Sequence, residues 1–177
     1  MKKYNVLFSA AALLGSMAMT FAAPLEYTQG ALKKNLRIAF GVDQKAADIL
    51  AIKTVANNKT ALYQQGLKWQ TSEIKQIIVT AKADKPGQLR WASNTVADGK
   101  RASVNIYLPM IADGEFHDYI FDVAGNKNWR GVLTNYELRW FGAADTLLEV
   151  KKFATSDKTT VKLLGNMLKG KVQMFKA

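Results

Sequence analysis

The 177 residues contain no cysteine, one histidine and three prolines. Without cysteine there is no disulfide, no thiol nucleophile and no lipid-acceptor residue of the bacterial lipoprotein kind. With His117 as the only imidazole, a Ser-His-Asp arrangement would have to be built on it, and a zinc site of two or more histidines is excluded. Glycine-rich phosphate loops are missing too, since Gly30, Gly41 and Gly66 are isolated. No Asp-rich loop reaches the ligand density of a calcium site, so neither metal nor cofactor is expected. Acidic side chains are scarce: 14 Asp+Glu stand against 25 Lys+Arg, a net charge of +11. A field of that sign favours polyanions and acts on association rather than fold. The lysines are scattered rather than massed, so solubility is the better account of them, and nothing points to nucleic acid in particular.

Long apolar runs are also missing, apart from residues 6–21. That run follows Lys2 and Lys3 and ends in small residues around Thr20, Ala22 and Ala23, the pattern of a secretory signal peptide cleaved after Ala22. Ser9, Gly15, Ser16 and Thr20 interrupt it, and it falls short of the ~20 apolar residues that a bilayer anchor needs. The expected organisation is a signal peptide over residues 1–22, one domain over 23–153 and a basic extension over 154–177. Export to a periplasm or the cell exterior follows from this pattern, with no transmembrane anchor.

What is present is period-two alternation. Residues 36–40 alternate; residues 49–55 suit either a strand or a short helix; residues 23–35 show only weak periodicity. From residue 67 onward the pattern sharpens, with strands near 67–69, 74–82, 88–94, 103–108, 117–123, 133–141 and 147–153. The DKPG at 84–87 supplies turn chemistry, proline fixing φ and glycine free to take a positive one, and ADGK at 97–100 turns again. Short strands with a turn every eight to fifteen residues predict an all-β chain, an antiparallel sandwich or barrel. The tail from 154 carries five lysines against Asp157 and reads either as a hairpin or as a basic segment docking elsewhere.

Strand parity separates core from surface. It sends Tyr136, Leu138 and Trp140, Leu89, Trp91 and Ser93, and Tyr119, Phe121 and Val123 inward. Arg90, Ala92 and Asn94, and Asn135, Glu137 and Arg139, then point outward, as do Asp118 and Asp122. Between the strands, Trp129 covers an end of the core and Gly131 permits close backbone approach, so both are expected to be structural. His117, at a strand start, is expected to make a structural hydrogen bond.

The stretch DGEFHDYIFDV at 113–123, then WRG at 129–131, then LTNYELRWF at 133–141 resembles the late strands of galactose-binding-domain-like jelly rolls, the fold of many non-catalytic carbohydrate-binding modules. The resemblance spans residues 67–153, about half the chain. It implies a jelly-roll β-sandwich and a polysaccharide or other glycan as partner. Arg90, Asn94, Glu137 and Arg139 would form the binding face, with Trp69 or Tyr107 as a stacking surface, because planar amides and guanidiniums match the fixed directions of sugar hydroxyls. Two other function classes stay open. One is a small glycan hydrolase or lyase built on His117 or on carboxylates drawn from Asp113, Glu115, Asp118, Asp122 and Glu137. The other is a structural protein holding an anionic cell-envelope polymer through its basic surface.

Overall fold

A computed structural model describes residues 25–28, 30–44, 49–55 and 60–158. Residues 1–22 and the extension beyond residue 158 lie outside the described residues. In chain order the elements are β1 (Glu26–Thr28), α1 (Gly30–Asn35), β2 (Arg37–Phe40), β3 (Val42–Asp43), β4 (Leu50–Lys53) and β5 (Thr60–Gln70). A 3-10 turn, Thr71–Glu73, follows, and then β6 (Gln76–Ala83), β7 (Gly87–Ala97), β8 (Lys100–Met110), β9 (His117–Asp122), β10 (Val132–Gly142) and β11 (Leu147–Ser156).

These strands form two sheets. One runs β2-β5-β10-β7-β8; the other runs β3-β4-β11-β6-β9, with β1 also on β11. The pairs are antiparallel throughout. The fold is therefore an antiparallel β-sandwich of jelly-roll type, as the turn spacing predicts. Alternation places apolar side chains between the sheets: Leu89 and Trp91 of β7, Leu138 and Trp140 of β10, and Leu148 and Val150 of β11 are all almost completely buried. Each inward residue expected on β7, β9 and β10 is buried, and the outward ones are not. Tyr119 is 6% exposed, and Trp91, Tyr136 and Phe153 form a stacked aromatic column through the centre.

Four details correct or settle the sequence expectation. Residues 23–35 hold a three-residue strand and a six-residue helix whose Leu32 is fully buried; both are too short for a period to show. The ambiguous residues around 50 are a strand, because Leu50, Ala51 and Ile52 are all buried. The closing strand continues to Ser156, tied by Leu25 N to Thr155 Oγ1 at 2.9 Å and Thr155 N to Leu25 O at 2.8 Å. Gly87 has no positive φ. Its lack of a side chain serves space instead, since a Cβ would meet the Trp140 ring at 2.7 Å and the Phe141 carbonyl at 2.5 Å.

The crossover from β9 to β10 turns on Trp129 and Gly131. The Trp129 indole is 8% exposed and donates to Thr71 O at 3.1 Å and Ile74 O at 2.9 Å. Gly131 sits at φ +74°, and a Cβ there would fall 2.1 Å from Val96 O. Its carbonyl accepts from both the backbone N–H and the hydroxyl of Thr71. The crossover is thereby pinned to the 3-10 turn between β5 and β6.

Candidate functional site

The outward face of the β2-β5-β10-β7-β8 sheet carries a groove of about 390 Å³, with Tyr63 and Gln65 of β5 on one flank and Ser103 and Asn105 of β8 on the other. Asn94 and Asn135 lie on its floor, with Glu137 at one end. A bulge makes this floor. Relative to β7, β10 holds one extra residue between Leu133 and Asn135, so Leu133 and Tyr136 can both face the core while Asn135 turns outward beside Asn94. The side chains form a relay: Ser103 Oγ donates to Asn94 Oδ1 at 2.8 Å, and Asn94 Nδ2 donates to Asn135 Oδ1 at 2.8 Å. Fixed amides on a half-exposed surface present donors and acceptors in set directions, which suits polyhydroxylated ligands.

Beyond Glu137 the face changes character. Arg90 and Arg139 are direct cross-strand partners, an arrangement that repels on its own. Glu137 lies between them and offsets it: Arg90 Nη2 donates to Oε1 at 2.8 Å, Arg139 Nη2 donates to Oε2 at 3.0 Å, and Arg139 Nε is 2.7 Å from Oε1. Both guanidiniums also sit over Phe141, at 5.3 Å for Arg90 and 5.9 Å for Arg139. Tyr107, 51% exposed, packs 6.1 Å from Phe141 with Arg90 over its ring. Phe40, on β2, closes the patch below Arg139.

The face thus brings together Arg90, Asn94, Glu137, Arg139 and Tyr107. It does not bring in Trp69. Trp69 pairs with Leu133, whose side chain is buried, and packs 5.9 Å from the core ring of Tyr136. It therefore belongs to the inner side of the sheet. Residues absent from the sequence expectation are Phe141, Phe40, Tyr63, Gln65, Ser103 and Asn105. Parity alone places Phe141 beside Arg139, but the neighbouring positions of β2, β5 and β8 require the strand order.

His117 and the carboxylates Asp113, Asp118 and Asp122 lie away from this face, on β9 of the other sheet or the loop before it. His117 Nε2 is 2.9 Å from both Asp113 oxygens, and that hydrogen bond is the main reason the Asp113 carboxyl is held below the usual aspartate range. Asp118 accepts from Thr80 Oγ1. Among the described residues no three His, Cys, Asp or Glu side chains group closely enough to hold a metal ion, and no helix is long and apolar enough to cross a membrane.

No family model matches the chain, and no curated protein matches it. Solved structures do. A low affinity xylan binding module, CBM86, from the gut symbiont Roseburia intestinalis is 10% identical with a TM-score of 0.51, covering 76% of this chain and 95% of its own. The structure of PfGH50B is 11% identical with a TM-score of 0.52, covering 71% of this chain and 22% of the other. The CBM22-1–GH10 modules of Clostridium thermocellum xylanase 10B, complexed with xylohexaose, give 10% identity and a TM-score of 0.47 over 76% of this chain and 26% of theirs. The chain thus spans about a quarter of the two longer proteins and nearly all of the module from Roseburia intestinalis. At these identities the likeness shows the fold alone, a β-sandwich.

Proposed function

We propose that the protein is a non-catalytic glycan-binding module that holds a polysaccharide chain in the groove on its five-stranded sheet. The observation that carries this is the amide relay Ser103-Asn94-Asn135 crossing the groove, with the exposed ring of Tyr107 on the same face four residues along β8 from Ser103. Sugars need both, hydroxyl partners in fixed directions and a flat apolar face for their C–H edges. The fold shared with the xylan binding module CBM86 is consistent with it. Among the described residues Glu137 is the one carboxylate lining the groove, and both its oxygens are engaged by arginines. Two-carboxylate hydrolysis needs a second acid at ~5–9.5 Å, and the groove lining supplies none. Lys2, Lys3 and the apolar run after them support export to a periplasm or the cell exterior. A polysaccharide array probed with the full chain tests the proposal. Retention on at least one polymer, weakened by Asn94→Ala and Tyr107→Ala without loss of folding, is expected. Turnover of a bound polymer, or binding indifferent to both substitutions, overturns it.

A further inference from the structure

The two sheets differ sharply in charge. The five strands bearing the groove hold six cationic side chains, Arg37, Lys68, Arg90, Lys100, Arg101 and Arg139, and a single carboxylate, Glu137. The six strands of the other sheet hold four lysines against five carboxylates. Between the two sheets the positive excess therefore lies on the one that carries the groove, and solubility alone does not call for such segregation. Next to the groove lies a second recess of about 210 Å³, lined by Lys34, Asn35, Arg37, Gln64 and Gln65. Gln64 and Gln65 line both recesses, so the two are contiguous. Arg37 is the cross-strand partner of Tyr63 and so shares the outward face with Glu137, two strands away. Lys34 and Arg37 are both exposed, and among the described residues the recess has no acidic lining residue.

We propose that the groove's ligand is an anionic glycan, a chain bearing carboxylate or sulfate groups, with an acid group seated between Lys34 and Arg37 while neutral hydroxyls lie along Asn94 and Asn135. This rests on the groove being the glycan site. Arg37 offers a planar donor fork that fits a carboxylate or sulfate, and Lys34 adds a mobile point charge. Arg90 and Arg139 are already neutralised in part by Glu137, which leaves Lys34 and Arg37 as the cations able to discriminate an acid group from a hydroxyl.

The test uses the full chain against polygalacturonate, alginate and chondroitin sulfate, each beside its carboxyl-reduced or desulfated counterpart, with affinities from calorimetry at fixed salt. At least one acidic polymer is expected to bind about tenfold or more tightly than its neutral form. Lys34→Gln with Arg37→Gln should remove that preference while leaving the affinity for the neutral form unchanged. Arg37→Lys, which keeps the charge, should retain most of the preference. Lys53→Gln with Lys151→Gln removes the same charge from the opposite sheet and should leave the preference intact. Equal affinity for acidic and neutral forms overturns the inference while the glycan site stands. A preference lost equally in both double variants overturns it as well, since the effect is then the field of the whole chain. Binding of no polymer in either form overturns the glycan site and the inference together.

Discussion

Tyr136 and Phe153 face each other across the interior of the sandwich, ring centroids 5.1 Å apart and planes 3° from parallel. They belong to different sheets, and Trp91 stacks on Tyr136 at 4.6 Å. This column joins the sheets directly beneath the groove, so its integrity sets the shape of the face above. Phe153→Ala is expected to destabilise the protein by about 3–5 kcal/mol, measured by urea denaturation. A cost under about 1 kcal/mol would mean the stack does not hold the sheets together.

The Tyr136 hydroxyl donates to Gln64 Oε1 at 3.0 Å, and burial, with a smaller contribution from Tyr27, pushes its phenol above the usual tyrosine range. A group whose pKa is raised on folding contributes stability that is present below its unfolded pKa of ~10 and is lost as pH rises beyond it. Tyr136→Phe should cost about 1 kcal/mol at neutral pH from the lost hydrogen bond. It should also flatten the alkaline limb of the stability curve, followed by thermal melting against pH. An unchanged alkaline limb would place the ionising group elsewhere.

Asp113 gives the opposite sign. Its carboxyl is lowered, first by the His117 hydrogen bond and then by the backbone N–H of Glu115. A depressed pKa contributes stability that is present above the unfolded value of ~3.9 and disappears as pH falls through the folded one. Asp113→Asn should therefore lie below wild type in melting temperature at neutral pH, and the two curves should converge under acid. The site is fully exposed, so the gap is small. A gap that persists under acid would show that the loop, and not the ionised carboxylate, is what the substitution disturbs.

Most of the core was legible because period-two alternation survives wherever one face of a strand is buried. Leu89, Trp91, Tyr136, Leu138 and Trp140 follow from parity alone. The face was legible only in part. Parity gives Arg90, Asn94, Glu137 and Arg139 their direction, but which strands neighbour each other is a long-range matter. Tyr63 and Gln65 therefore join the groove only once β5 is known to pair with β10. Trp69 misleads for the same reason: β5 holds three residues around Gly66 between Gln65 and Trp69 where β7 holds none between Asn94 and Thr95, and an odd excess puts Trp69 on the opposite face from Gln65. A bulge has no alternation signature of its own.

Gly131 and Gly99 both adopt positive φ, +74° and +70°, yet they differ in surroundings. A Cβ at Gly99 meets nothing within 4 Å, whereas one at Gly131 would collide with Val96 O. Gly99→Ala should cost about 1 kcal/mol, the left-handed penalty alone. Gly131→Ala must also displace the crossover from Thr71, and is expected to cost more than about 3 kcal/mol. Similar melting temperatures for the two variants would mean that the crossover yields easily.

Tyr107 and Trp69 separate binding from folding. Tyr107 is an exposed ring at the edge of the face, packed against Phe141 and Arg90, so removing it takes little from the core. Trp69 is half-buried against Tyr136 on the inner side of the sheet. Tyr107→Ala should leave the melting temperature within error and weaken retention on a bound polysaccharide about fivefold to tenfold, the loss of one stacking contact. Trp69→Ala should do the reverse, costing about 1–3 kcal/mol of stability while the remaining folded fraction binds with unaltered affinity. Affinity electrophoresis with parallel thermal melts reads both quantities on the same samples. If Trp69→Ala loses binding at full stability while Tyr107→Ala keeps it, Tyr107 is not the stacking ring and the ligand lies towards the Trp69 end of the sheet.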